Sequence, residues 1–394
     1  MRVALFYFVL YTSVGIILPY LPPYYRSLGF SGKEIALAVS LQPLLTIVVP
    51  PIWGYLADRT RRPVWLLQVA TTGAALAFVP MFFADTVAAV VATLALFSVF
   101  STPLGSLIDS VAVVEARRIG TDYARLRLWG SLGFVAASFC FGQWLAHGGG
   151  EAKDAVWWAL TGIVGYAIVS RGVRPPPVEA GLEFAPPPSL NEAAQLLRRP
   201  AVVLFLVAAM VHWSALAPYH MLFALHLDAL GASATAVGAG FAAAVAAEVV
   251  VMWRFRDLAK RLPLEPILLL AFASGTLRWL LTAVLDSGLP IAAVQVLHGL
   301  TYGAFFIGSI VWLDREIPER LRATGRALFA ASVFGLGGVL GNALAGTLFD
   351  LGGARLAFLA GSGLDLVPIA LILVATRLGR GATAADGAMA PQRS

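Results

Sequence analysis

Charge is scarce in this sequence. Asp, Glu, Lys and Arg supply 13% of its 394 residues, 59% are hydrophobic, and the mean hydropathy is +0.80. A soluble globular chain carries roughly 25% charged residues, so too little polar surface exists here to wrap a water-soluble core. Cytosolic enzymes and nucleic-acid binders are excluded together. The net charge of +6 does not readmit a nucleic-acid partner, because Lys and Arg sit in short connections between apolar runs. Cysteine is nearly absent: Cys140 stands alone in an apolar run, which excludes an intrachain disulfide and a thiolate metal cluster. The five histidines lack metal-ligand spacing. No phosphate-cradling loop of the Walker pattern is present, and nothing resembles a nucleophile with a paired base. No metal, no cofactor and no enzymatic activity are therefore expected.

What fills the sequence is apolar runs long enough to cross about 30 Å of hydrocarbon. They lie near 4–24, 36–56, 64–83, 88–114, 123–146 and 155–171, and again near 201–226, 234–253, 264–284, 289–313, 325–349 and 353–376. The runs are continuously apolar instead of alternating, so they predict twelve transmembrane helices in two sets of six, not barrel strands. The first run follows Arg2 without a small-residue cleavage site and reads as a retained span.

With twelve spans both termini share one side. That side carries twenty-one Lys and Arg residues, against four on the other: Arg26, Lys33, Lys153 and Arg355. The excess places both termini in the cytoplasm of a plasma (inner) membrane protein. The sequence divides into a six-helix bundle over 1–171, a Pro-rich cytoplasmic linker over 172–199, a second bundle over 200–378 and a disordered tail over 379–394.

A shift of about 200 residues brings Leu28-Gly29-Phe30-Ser31 onto Leu230-Gly231-Ala232-Ser233, and Ala124-Arg125 onto Gly325-Arg326, each of the latter opening a Gly-rich helix. Two homologous halves in one orientation follow, with substrate expected between them. The glycines of those helices, Gly130, Gly133, Gly335, Gly337, Gly338 and Gly341, are expected to let neighbouring backbones approach.

Between the second and third runs stands Gly54-Tyr55-Leu56-Ala57-Asp58-Arg59-Thr60-Arg61-Arg62. It resembles the cytoplasmic loop signature of the major facilitator superfamily, and the resemblance implies a conformational latch: Gly54 for close helix contact, Asp58 with Arg59 and Arg62 for charged contacts to a neighbouring bundle. Topology-setting charge alone is the alternative. A narrower resemblance, to the lactose permease and phenylpropionate permease branch, rests on Leu18-Pro19-Tyr20-Leu21-Pro22, Gln42-Pro43, Asp109, Arg117-Arg118 and Tyr123-Ala124-Arg125-Leu126-Arg127-Leu128-Trp129-Gly130. It implies that Asp109 and Arg127 anchor substrate as a pair, that Phe134 replaces a stacking aromatic, and that Glu248, Arg278 and His298 form a proton-coupling and substrate network. The branch's protonatable glutamate, three residues after that histidine, is replaced by Thr301, and His212 and His220 stand where its span-seven acids would be.

Without the resemblance, each deep ionisable group still costs about 2.5 to 3.5 kcal/mol on insertion scales, and should face a cavity and a partner. Asp109, Arg127, Glu248, Arg278, His298 and His212 are such groups. His220 is expected to be a hydrogen-bonded helix contact, and Asp365, in a peripheral last span, to be structural. Tyr7 and Tyr11, four residues apart on one helix face, line the cavity or, as the equal alternative, face lipid or serve in packing. The charge of Glu248 would follow the balance between desolvation and its expected neighbour Arg278, which changes with access. The sequence thus reads as a proton-coupled symporter of a small polar organic solute (a saccharide, a nucleoside or an aromatic acid), working as a monomer in a lipid bilayer with the proton as coupling ion. A proton-driven exporter of the same fold and a non-transporting receptor or scaffold are the alternatives.

Overall fold

The computed structural model describes residues 2–374, apart from 61, 149, 175–193 and 195. Most of the expected linker and the whole of the expected tail lie outside the described residues. Ten helical stretches are long and apolar enough to span a membrane, and Asp154–Ser170 is a shorter apolar helix. In chain order they are α1 (Arg2–Ser27), α2 (Gly32–Thr60), α3 (Pro63–Phe83), α4 (Val87–Ile119), α5 (Tyr123–Ala146), α6 (Asp154–Ser170), α7 (Pro200–Ala229), α8 (Ala234–Arg261), α9 (Leu264–Val284) and α10 (Gly288–Glu316). The last stretch, Thr324–Val374, breaks at Gly352 and Gly353, the latter at φ +73°, which divides it into α11 (324–351) and α12 (354–374). Twelve helices result, as the hydropathy predicts, and no strand occurs among the described residues.

The repeat is visible in the backbone. Gly29 and Gly231 follow α1 and α7 at φ +88° and +69°, a left-handed turn that a side chain resists and that ends a helix in each half at the same place. After the first, Ser31 and Glu34 start α2 with a reciprocal cap: the Ser31 N–H donates to Glu34 Oε2 at 2.8 Å, and the Glu34 N–H donates to Ser31 Oγ at 3.3 Å.

Three helices are less regular than their apolar runs suggest. α4 is broken between Ser101 and Leu104, where Pro103 has no N–H to give. α10 tightens over Gln295–Leu297 and then widens into a π-turn over Gly299–Ala304, and α11 carries a second π-turn over Ala331–Gly337. π-turns are rare and concentrate at functional sites.

The apolar core is asymmetric along the membrane normal. One cluster runs through the first half and continues into the second through Leu216, Phe223, Phe241 and Phe358. A separate cluster, including Phe205, Phe255, Phe272 and Trp312, fills only the second half, toward the end where α7 begins. The halves are therefore fused at the end bearing the α1–α2 connection. At that end Gly32 and Gly346 bring α2 and α11 so close that neither could carry a Cβ, and Gly142 and Gly238 do the same for α5 and α8. Asp350 at the end of α11 accepts from the N–H groups of Gly32 at 2.5 Å and Lys33 at 3.0 Å. Within each half, Gly133 sits on the Phe8 backbone and Gly341 on that of Ser214, as expected of the Gly-rich helices.

Candidate functional site

A cavity of about 510 Å³ lies between the halves, within the usual range for a small-molecule site. α1, α2 and α4 line it from one side and α7, α10 and α11 from the other. Its polar lining is Gln42, Thr46, Ser98, Asn342, His220 and three tyrosines, Tyr11, Tyr25 and Tyr302; Trp213, Phe97 and Phe334 add aromatic faces. No Asp, Glu, Lys or Arg side chain is among the described lining residues.

The deep charges stand one layer behind this surface. In the first half, Asp109 and Arg127 do not pair with each other. The Tyr7 hydroxyl donates to Asp109 Oδ1 at 2.5 Å, and Arg127 Nη2 donates to the Tyr11 hydroxyl at 2.5 Å. The Arg127 guanidinium also lies over the Tyr11 ring, 4.1 Å from its centroid, a cation–π contact that fixes the cavity wall. In this arrangement Asp109 and Arg127, expected to anchor substrate as a pair, are each held by a tyrosine of α1. Of those two tyrosines, Tyr11 lines the cavity, whereas Tyr7 is buried in packing with its hydroxyl on Asp109.

In the second half, Arg278 is fully buried, and its Nε donates to Gln295 Oε1 at 2.9 Å while Nη1 meets His298 Nδ1 at 2.8 Å. A guanidinium can only donate, so Nδ1 accepts and the neutral His298 carries its proton on Nε2. That nitrogen points at Glu248 Oε2, 3.5 Å away. Glu248 therefore does not sit beside Arg278, as the sequence reading held. His298 intervenes between them. Arg278 instead spends its face on Tyr219 and Trp279, with centroids at 4.2 and 4.3 Å.

Two other expectations change. Phe134 does not line the cavity; its buried ring packs across the interface, 6.1 Å from that of Phe241. His220 is no hydrogen-bonded helix contact; it faces the cavity, with its ring near Trp213 and Tyr219. Asp365 stays off the cavity lining, as expected of a structural residue, and α12 carries it, completely buried, onto His212. At the loop signature Gly54 faces open space instead of a neighbouring helix, because the halves do not meet at that end. Among the described residues Arg59 bonds to Tyr55 of its own helix at 3.2 Å, and Arg62 is the exposed cap of α3. The Asp58 side chain lies outside the described residues.

Gln295, Tyr219 and Tyr302 are site residues that the sequence reading missed. The one available signal was proximity: Tyr219 precedes His220, Gln295 comes three residues before His298 and Tyr302 four after it.

Twelve helices in two repeated halves, parted around a polar cavity, is the architecture of a carrier, and the MFS_1 like family model matches residues 1–360. The chain belongs to that family, within the major facilitator superfamily. It is 29% identical to the maltose permease of Geobacillus stearothermophilus over 371 residues, covering 94% of this chain and 93% of that permease. It is 27% identical to the probable 3-phenylpropionic acid transporter of Escherichia coli (strain K12) over 354 residues, covering 88% and 90% of the two chains. The crystal structure of the nucleoside transporter NupG superposes with a TM-score of 0.85 at 17% identity, over 95% of this chain and 98% of that one, which shows the shared fold. This transporter is an integral membrane protein, not an enzyme, and would bind a small-molecule substrate.

Proposed function

We propose that the protein is a proton-coupled symporter that imports a small polar solute by alternating access, with Glu248 as the proton carrier. The observation behind this reading is the order Arg278, His298, Glu248. His298 is held neutral by a guanidinium, so it cannot take a second proton while that contact lasts, and the carboxylate is the group left to titrate. Glu248 is 19% exposed, and its backbone lies against Gly303 of the π-turn that carries Tyr302. Relative motion of the halves changes the surroundings of the carboxyl and so links protonation to access.

The cavity lining favours an uncharged, hydroxyl-rich solute. Amide and hydroxyl groups can exchange hydrogen bonds with such a solute and aromatic faces can stack on it, whereas no fixed cation stands among the described lining residues to hold a carboxylate. Among the compounds named for the relatives, maltose and nucleosides fit this better than phenylpropionate. The excess of basic residues at the parted end would put that end, and both termini, in the cytoplasm, and the arrangement then corresponds to an inward-facing state of a monomer in the inner membrane. Closure of that end would bring the 54–62 segment against the opposite half as a latch.

Reconstitution in proteoliposomes tests this. With an inward proton gradient, labelled maltose or a labelled nucleoside is expected to accumulate, and a protonophore to collapse the accumulation. Accumulation that is insensitive to the gradient, or efflux driven by it, would overturn the symport reading.

A further inference from the structure

Beyond the cavity wall, inside the second half, lies a polar cluster that the transport reading leaves unused. His212 of α7 and Asp365 of α12 are 1% and 0% exposed, and His212 Nδ1 stands 2.6 Å from Asp365 Oδ1. Trp279 Nε1 donates to the other carboxylate oxygen at 3.0 Å. The rings of Phe272 and Phe305 enclose the imidazole, with centroids at 5.0 and 4.6 Å. Burying such a pair is expensive, and apolar side chains of similar volume would often serve stability as well.

The other ring nitrogen shows what the pair achieves. His212 Nε2 lies 2.8 Å from the carbonyl oxygen of Thr301, and since a carbonyl only accepts, Nε2 must donate. Nδ1 and Asp365 then share the one remaining proton, so the pair has no net charge whichever atom holds it. Thr301 lies inside the π-turn of α10, and its hydroxyl donates to Leu297 O at 3.0 Å and meets Ser274 Oγ at 3.1 Å. This widened turn directly follows His298 and contains Tyr302. The carbonyl gripped by His212 thus sits between the residue facing Glu248 and the residue facing the cavity.

We propose that His212 is a positioning residue for the transport site: its Nε2–H pins the π-turn of α10, and Asp365 orients the ring for that bond. The proposal rests on the reading of His298 and Tyr302 as site residues, but its test needs no substrate. Amide hydrogen exchange of the full chain in lipid nanodiscs would be compared for His212→Ala, His212→Asn and His212→Gln. Gln places an amide N–H near the position of Nε2, Asn near that of Nδ1, and Ala supplies neither.

Peptides spanning 297–306 should exchange about tenfold faster in the Ala and Asn variants, with Gln restoring protection and the peptides of α1 and α5 unchanged throughout. Asp365→Ala should loosen the same peptides. Unchanged protection in His212→Ala, or Gln exchanging as fast as Asn, would overturn the proposal. If the Ala variant does not fold, the Gln and Asn pair still decides. Because exchange is read without transport, failure of the symport reading and failure of this one are distinguishable.

Discussion

Arg278 Nη1 and His298 Nδ1 meet at 2.8 Å, and this contact leaves the second histidine nitrogen as a donor aimed at Glu248. Glu248→Gln keeps the shape and an acceptor oxygen but cannot carry a proton. Uphill accumulation driven by a pH gradient should therefore be abolished, while substrate exchange across membranes without a gradient persists. Both are read in the same proteoliposomes. Full gradient-driven accumulation by the Gln variant would remove Glu248 from the coupling mechanism.

The part of this arrangement legible in sequence is the part that hydrophobicity and insertion cost dictate. Twelve runs of membrane length give twelve helices, and groups as expensive as Glu248, Arg278 and Arg127 were bound to lie inside the protein. Partner identity was not legible, because it depends on helix rotation and depth. Arg278 and His298 lie twenty residues apart on neighbouring helices, and a small rotation exchanges which of them faces Glu248. The π-turn of α10 was equally hidden, since Gly299–Ala304 carries no proline and no charge. Gly54 shows a third limit: a glycine whose place in the loop signature suggests close helix contact faces open space in this arrangement.

His298→Ala should have a different profile from Glu248→Gln. It removes the acceptor for Arg278 Nη1 inside a site with no exposure, and an unsatisfied buried donor costs about 1 to 3 kcal/mol. Thermal unfolding in detergent should show that loss, whereas gradient-driven accumulation should be weakened and not abolished, because Glu248 remains. A variant as stable as the parent would show that another group takes over the Arg278 contact.

Arg127→Lys tests the cavity wall. Lysine keeps the charge but loses the planar face over Tyr11 and the directional bond to its hydroxyl. With Tyr11 released, substrate affinity should fall by about 1.5 to 3 kcal/mol, the scale of a charged hydrogen bond. Tyr11→Phe retains the stack and should lose less. Calorimetric titration of both variants decides it: equal losses would mean that the hydroxyl, and not the guanidinium face, sets the wall.

Asp350 offers control over the conformational equilibrium without touching the cavity. Its carboxylate accepts from the first two N–H groups of α2 and so bridges the halves only while their fused end is closed. A negative charge at a helix N-terminus is stabilising, and at this exposed site the contribution should be about 1 kcal/mol in favour of the closed arrangement. Asp350→Asn weakens that charge–dipole contact, so the population with this end open should rise about fivefold. Pulsed electron paramagnetic resonance between spin labels on the ends of α2 and α11 reads the two populations directly. Gly346→Val acts at the same seam by volume, since a side chain there meets the Gly32 backbone, and it should shift the equilibrium further in the same direction. Substrate affinity measured with the equilibrium held to one side should be unchanged in Asp350→Asn. A long-distance population that does not grow in either variant would show that the contacts between α2 and α11 follow closure and do not stabilise it.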